Sequence, residues 1–121
     1  MQVQQLIYAA QQAMQAGRPD EAARLWSRVL ALSPEHPQAL FHLGQHRLMQ
    51  KDTAGGLALL ERAAAADPQA PAIPLNIAFA HRSRNDTNAE LASLDRALAI
   101  DPYFWGLAGI YWLARLLGLL G

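Results

Sequence analysis

The histidines and serines are the first candidates for metal binding and nucleophilic chemistry in this 121-residue sequence, which contains no cysteine. His42 and His46 are four residues apart, a spacing that places both imidazoles on one face of a helix. A zinc site needs a further protein ligand, and no Asp, Glu or Cys lies nearby on that face, while His81 belongs to another predicted helix. We therefore predict a surface-exposed histidine pair and no metal site.

Nucleophilic catalysis and nucleotide binding also lack a motif. The serines are Ser27, Ser33, Ser83 and Ser93. None stands in a nucleophile-elbow setting or beside a histidine and an acidic residue arranged by motif. Gly55-Gly56 lacks the Lys-Ser/Thr that follows a phosphate-binding loop. We predict that the chain is not an enzyme and needs no cofactor.

The overall composition narrows the class of protein and of partner. Lys and Arg total 10, as do Asp and Glu, so no net charge attracts nucleic acid or an anionic membrane. Hydrophobic residues make up 52% of the chain, chiefly Ala and Leu, which favour helix. Without cysteine or a positively charged, apolar leader, we expect a cytoplasmic all-α protein.

Prolines divide the chain at a constant interval. Pro34, Pro68 and Pro102 follow Ala-rich or Leu-rich stretches at a spacing of 34 residues. Ser33, Asp67 and Asp101 precede these prolines and favour a turn or cap, so each site ends one helix and leads into another. Turn-forming segments at 16–20, 50–53 and 84–87 split each unit into two helices. The predicted helices lie near 3–16, 19–32, 37–50, 53–66, 72–84 and 87–100, with a seventh near 103–118.

This pattern resembles the tetratricopeptide repeat, a 34-residue helical hairpin with small residues where its two helices cross. The matching residues are Leu6, Ala10, Ala22, Trp26, Val29 and Pro34, then Leu40, Leu43, Gly44, Gly56, Leu60, Ala63 and Pro68, then Ile77, Ala78, Leu94, Ala97 and Pro102. The resemblance implies one domain, 1–121, with repeats 3–36, 37–70 and 71–104 stacked as a short right-handed superhelix and capped by an apolar helix, 105–121.

Two residues depart from the repeat pattern. Pro74 is tolerable only in a first helical turn, so its helix should begin near Ala72 or Ile73. Glu90 occupies a position where the family has a small residue, and a buried carboxylate is costly unless it is paired. We expect Glu90 to tilt into solvent. The alternative is a partner among His81, Arg82 and Arg84.

The resemblance also implies where a partner binds, because the first helix of each repeat lines a groove. The predicted groove residues are Tyr8, Gln11, Gln15, Phe41, His42, Gln45, Met49, Asn76, Phe79 and Arg82. A well-known subgroup of the family binds the carboxylate tails of chaperones through cationic groove residues. In this sequence the corresponding positions hold Ile7, Ala72 and Asn76, so the charge-assisted hydrogen bonds of that clamp cannot form. We predict a protein or peptide partner that presents an apolar or amphipathic segment.

The C-terminus differs from a normal repeat cap because Arg115 is its only charge after Pro102. A helix of about 15 residues reaches roughly 22 Å, too short to span a bilayer core of roughly 30 Å. An apolar helix is normally buried in protein, so we predict a homodimer. Its contact residues would be Phe104, Trp105, Tyr111, Trp112 and Leu116. The alternatives are a larger parent chain that covers this helix and attachment of the helix to a membrane surface.

A narrower resemblance concerns the run from Asp95 to Trp105. It is similar to the repeat segment that precedes the catalytic domain of some bacterial aspartyl/asparaginyl β-hydroxylase-like proteins. The iron ligands of such a domain have no room in this chain, so the resemblance implies an accessory domain of a larger enzyme at most. The interaction scaffold, this accessory domain and an oligomerisation module through the C-terminal helix are the three candidate functions.

Overall fold

The computed structural model describes residues 2–103, 113 and 115–118. Six α-helices lie in this part of the chain: α1 (Val3–Gln15), α2 (Pro19–Leu32), α3 (Pro37–Met49), α4 (Thr53–Ala66), α5 (Ala72–Ser83) and α6 (Thr87–Ile100). Three of the predicted helices have these bounds, and the other three end one residue earlier than predicted. The predicted all-α class and helical hairpins are therefore confirmed. Most of the predicted seventh helix lies outside the described residues.

Residues Met1–Asp67 and Pro68–Gly121 form two compact units. In the first unit, α1 packs on α2, α2 on α3, and α3 on α4. In the second unit, α5 packs on α6. The pairs α1–α2, α3–α4 and α5–α6 are helical hairpins of the predicted kind, whereas the contact of α2 with α3 joins two successive repeats. A single domain over 1–121 remains a prediction.

The helix starts are fixed by local hydrogen bonding and by proline. Pro19 and Pro37 stand in the first turns of α2 and α3, where a missing N–H breaks no hydrogen bond. The Asp52 and Asp86 carboxylates accept hydrogen bonds from the backbone N–H groups of Gly55 and Ala89, which caps α4 and α6. The helix α5 begins at Ala72, as Pro74 requires.

The second helix of each repeat ends just before one of the regularly spaced prolines. Ser33, Asp67 and Asp101 stand at the C-terminal caps of α2, α4 and α6, rather than at the start of the helix that follows. The N-cap of α3 is His36, whose Nδ1 accepts a hydrogen bond from the Ala39 N–H at 3.3 Å. The turn predicted at these sites is thus confirmed, with the capping assigned to a different residue.

The turn inside each hairpin repeats one backbone conformation. Gly17, Lys51 and Asn85 stand 34 residues apart, and their φ angles are +72°, +67° and +59°. Glycine and asparagine accept this left-handed conformation readily, whereas lysine adopts it at a cost. The repeat is therefore visible in the backbone as well as in the sequence.

Two glycines let α3 and α4 approach closely. A Cβ atom on Gly44 would lie 2.8 Å from Leu60 Cγ and 3.2 Å from the Gly56 carbonyl oxygen. A Cβ atom on Gly56 would lie 2.9 Å from the Gly44 carbonyl oxygen. Both positions are those where the repeat requires a small residue.

Each unit buries the residues that the repeat pattern assigned to the core. In the first unit the buried cluster includes Leu6, Ala10, Ala22, Trp26, Val29 and Leu43. In the second unit Ala78, Leu94 and Ala97 are buried together against Leu75, Leu91 and Leu98. Ile77 is fully buried as well. Burial of these apolar side chains is the main favourable term that holds each hairpin together.

Candidate functional site

The predicted groove residues of the first unit fall on two helices and differ in exposure. On α1, Tyr8 and Gln15 are exposed, and Gln11 is half-buried. On α3, Phe41, His42 and Gln45 are half-buried, and Met49 is 70% exposed. We call these seven residues the groove surface. The neighbouring Ile7 is buried at 7% exposure and belongs to the core.

An aromatic stack joins the groove surface to the core. The indole of Trp26 on α2 stacks on the imidazole of His42, with ring centroids 4.9 Å apart and planes inclined by 21°. Phe41 meets the same imidazole edge-on at 5.3 Å. Trp26 is 1% exposed, so the His42 ring packs on an indole that belongs to the core. His42 is consequently half-buried and not surface-exposed, which corrects the prediction made from the histidine spacing.

The His42 imidazole is held on its other side by Gln45. Its Nδ1 is hydrogen-bonded to Gln45 Oε1 at 3.3 Å. Burial lowers the pKa of His42 below the ordinary value for histidine, and the hydrogen bond with Gln45 opposes this effect. Desolvation penalises the charged imidazolium, so the ring at the centre of the groove surface is neutral at neutral pH.

The second histidine of the predicted pair makes a different contact. His46 Nε2 lies 3.1 Å from Asp20 Oδ1 at the start of α2. The two imidazoles are therefore engaged by separate partners, His42 by Trp26 and Gln45, and His46 by Asp20. Among the described residues, no group of three His, Cys, Asp or Glu side chains is arranged to hold a metal ion.

A pocket of about 100 Å³ opens between α1, α2 and α3. Met14 of α1 and the α2 residues Pro19, Ala22, Ala23 and Trp26 form one side. The α3 residues His42, Gln45, His46 and Met49 form the other side. Three groove-surface residues thus line a concave, mainly apolar pocket, and His46 together with residues of α1 and α2 completes its walls.

The floor of this pocket contains a buried hydrogen-bond donor with a weak acceptor. Trp26 Nε1–H donates to Met14 Sδ at 3.4 Å. A thioether sulfur accepts hydrogen bonds weakly, and Met14 is 41% exposed. Sequence reasoning assigned Trp26 to the core and did not connect it with the groove. Its repeat position predicts burial, but not the direction of its indole N–H.

The second unit carries the other three predicted groove residues. Asn76 donates a side-chain hydrogen bond to the Ala72 carbonyl oxygen at 2.8 Å, so this donor is used within α5. Phe79 is 49% exposed, and Arg82 is exposed. Of these three residues, Phe79 is the one that presents a large apolar side chain to solvent.

Glu90 is buried, which contradicts the expectation that it tilts into solvent. It is 2% exposed, and its Oε1 lies 3.5 Å from Nη2 of Arg115, whose side chain is 14% exposed. The Arg115 guanidinium supplies the charge that makes this burial tolerable. Arg115 of the C-terminal segment is thus a partner of Glu90 that lies outside the set His81, Arg82 and Arg84 named from the sequence.

The described part of the C-terminal segment exposes leucines. Leu113, Leu116 and Leu117 are 50%, 60% and 63% exposed, and Tyr103 is 92% exposed. Of the predicted dimer contacts, only Leu116 can be placed, since Phe104, Trp105, Tyr111 and Trp112 lie outside the described residues. Within the described residues, no helix combines the length and apolar character needed to cross a membrane.

These features define an all-α protein built from helical hairpins that repeat every 34 residues, with α3 and α4 crossing closely. A tetratricopeptide-repeat family model matches residues 9–71, more than half of the chain. The chain belongs to the tetratricopeptide repeat family. A comparison with curated protein sequences finds no significant match.

Solved structures with the same fold come from proteins of several kinds. MamA is 19% identical with a TM-score of 0.77, and the match covers 84% of this chain and 60% of that one. An O-GlcNAc transferase mutant from Thermobaculum terrenum is 25% identical with a TM-score of 0.78, and the match covers 84% of this chain and 20% of that one. This chain therefore corresponds to only part of the length of both proteins.

A third relative in structure is the type III secretion translocator chaperone SycD of Yersinia enterocolitica. It is 15% identical with a TM-score of 0.83, and the match covers 96% of this chain and 81% of that one. SycD has also been solved with a peptide of the translocator YopD and as an alternative dimer. At this identity the likeness shows the fold.

Proposed function

We propose that this chain is a protein-interaction scaffold that binds a peptide segment or helix of a partner on the groove surface, and we assign it no catalytic step. The observation that carries the proposal is the exposure of large side chains at inner positions of the first helices. Tyr8 and Met49 remain 65% and 70% exposed, and Met14 beside the pocket is 41% exposed, although Leu6, Leu40 and Leu60 of the same unit are fully buried. Exposed apolar side chains grouped around a concave surface are typical of interaction sites.

The chemistry of the groove surface favours an uncharged partner segment. Its side chains are aromatic, amide, thioether and neutral imidazole, with no Lys or Arg among the seven. Amide groups suit the backbone of an extended peptide, and aromatic and Met side chains adapt to apolar side chains. An acidic peptide tail would find no cation here for a charge-assisted hydrogen bond.

Membership of the tetratricopeptide repeat family supports the proposal, because helical repeat proteins use extended concave surfaces for binding. The SycD structure with a YopD peptide gives a precedent for peptide binding on a related fold. The cytoplasmic location and the alternative of an accessory domain within a larger enzyme both remain predictions. The second alternative, self-association through the C-terminal segment, is favoured by the exposed leucines and by the SycD dimer.

The test of the scaffold compares two double variants. Tyr8→Ala with Gln45→Ala changes the groove surface, and Arg24→Ala with Ser27→Ala changes exposed residues on the other side of α2. Immobilised wild-type chain captures partners, which are identified by mass spectrometry, and binding of the identified segment is then measured by calorimetry. We expect the groove variant to bind at least about tenfold more weakly, with an unchanged melting temperature. Equal binding by both variants would move the site away from the groove surface.

A further inference from the structure

The pocket beneath the groove surface contains a feature that the exposed residues do not explain. Trp26 is almost completely buried, yet its indole N–H has a thioether as its acceptor. Buried tryptophan N–H groups normally have a good hydrogen-bond partner, since an unsatisfied donor is costly. Met14 supplies that partner from a flexible side chain on the pocket wall, and this side chain can move aside without disturbing the core.

The size of the pocket matches one side chain of a partner. Its volume is about 100 Å³. For comparison, an engineered apolar cavity of about 150 Å³ binds benzene. Methyl and methylene groups from Met14, Ala23 and Met49 line it, and a leucine side chain would bury its apolar surface against them.

The charges around the pocket select an uncharged occupant. No Lys, Arg, Asp or Glu lines it, and the His42 ring is neutral at neutral pH. The other imidazole of the lining, His46, is engaged by Asp20 outside the pocket. A carboxylate side chain would lose its hydration without gaining a cation. The walls are thus complementary to an aliphatic side chain, and the indole N–H is complementary to a carbonyl oxygen.

We propose that this pocket is an anchor subsite for one leucine-like side chain of an extended partner peptide, and that a main-chain carbonyl of the peptide replaces Met14 Sδ as the acceptor for Trp26 Nε1–H. The inference rests on the proposed function, because it assigns the chemistry of the partner to the same site. It adds a buried donor and a specific side-chain preference to the exposed groove surface.

The test uses capped pentapeptides Gly-Ser-X-Ser-Gly, in which X is leucine, alanine or glutamate. The full chain is labelled with ¹⁵N-tryptophan, and the Trp26 indole signal is identified by its nuclear Overhauser contact with the Met14 methyl group. The leucine peptide should shift this signal in a saturable manner, and the alanine peptide should bind about tenfold more weakly or worse. The glutamate peptide should leave the signal in place.

Variants separate the pocket from the rest of the groove. Ala23→Leu fills the pocket and should abolish the shift, whereas Ala58→Leu on the exposed side of α4 should leave it unchanged. Met49→Asp places a carboxylate at an exposed part of the wall and should weaken binding without affecting the fold. Circular dichroism checks that all three variants remain helical.

Three results would overturn the anchor subsite. Equal binding of the leucine and alanine peptides would remove its side-chain preference, and retained binding by both Ala23→Leu and Met49→Asp would place the occupant elsewhere. Peptide binding that shifts the Tyr8 ring signals of a second sample labelled with ¹³C-tyrosine, and leaves the Trp26 indole signal unmoved, would support the scaffold while rejecting the pocket. Retained binding of the natural partner by the Tyr8 and Gln45 variant would instead move the partner site away from the whole groove surface, and the proposed function would then fail as stated.

Discussion

The carboxylate of Glu90 and the guanidinium of Arg115 form an ion pair whose side chains are 3% and 14% exposed. Glu90 occupies the position at which the equivalent residues of the other two repeats are Ala22 and Gly56. A large charged side chain thus stands where the repeat normally brings two helices together. The pair makes the second unit depend on a residue from the C-terminal segment.

The free energy of unfolding should fall much more when Arg115 is removed than when Glu90 is removed. Arg115→Met removes the guanidinium that pairs with the buried Glu90 carboxylate, and removing one member of a buried pair costs about 3–5 kcal/mol. Glu90→Ala restores the small residue of the family and leaves a less buried cation, so its cost should be smaller. Urea unfolding followed by circular dichroism measures both. The double variant should recover most of the loss, and equal costs for the two single variants would contradict the asymmetry.

The crossing of α3 and α4 gives a second prediction. Gly44→Ala and Gly56→Ala should each lower the free energy of unfolding by about 1–3 kcal/mol, because each added methyl group would collide with a neighbouring side chain or carbonyl oxygen. Gly44→Leu and Ala22→Leu should be more damaging. The control is Ala58→Leu, at an exposed site on α4. Thermal melts in which the glycine variants match the control would mean that the helices do not cross as closely as described.

The turn residues give a third prediction, on backbone strain. Lys51→Gly should raise the free energy of unfolding by on the order of 1 kcal/mol, because lysine at φ +67° is in a conformation that glycine adopts freely. Gly17→Ala should lower it by a similar amount. No atom outside the turn lies within 4 Å of the added methyl group, so the loss would be conformational rather than steric. Denaturant unfolding measures both, and a stability loss in Lys51→Gly would contradict the strain.

The His42 imidazole gives a fourth prediction, on pH. Its pKa is lower in the folded chain than in the unfolded chain because it is buried against Trp26, so the unfolded state binds the proton more tightly. Its contribution to stability is therefore complete above the unfolded pKa of about 6.5 and is lost as the pH falls below that value. His42→Phe keeps an aromatic ring on Trp26 and removes the titration. Unfolding measured between about pH 7 and 5 should show a weaker pH dependence in this variant, and identical profiles would reject the assignment.

The sequence predicted the helices well because local signals set them. Pro19 and Pro37 mark helix starts, and the aspartates before α4 and α6 occupy the turns that the analysis identified. The core also followed from the repeat, since the positions of Ala10 and Leu60 are buried in all three hairpins of this chain. These features depend on residues within about one turn or one hairpin.

Contacts between separate segments could not be predicted in the same way. The Trp26 and His42 stack requires the relative rotation of α2 and α3, which helical periodicity does not specify. The Glu90 partner was sought among residues close in sequence, whereas Arg115 belongs to a segment outside the repeat pattern.

The C-terminal segment gives a fifth prediction, on self-association. Arg115 is its only charge, and the ion pair with Glu90 turns that charge toward the second unit. Leu113, Leu116 and Leu117 have the three-residue and four-residue spacing of one helical face, and each is at least 50% exposed. A twofold pairing would bury the same leucines on both copies and leave no surface open for a third copy, so we expect the purified chain to be a dimer.

Leu116→Glu with Leu117→Glu should produce a monomer of unchanged helical content, because like charges would face each other at the contact. Light scattering at several concentrations measures the mass of both forms, with Arg24→Glu and Ser27→Glu on α2 as the control for added charge. A wild-type monomer at high concentration would leave these leucines without a second copy to cover them and would reject the dimer.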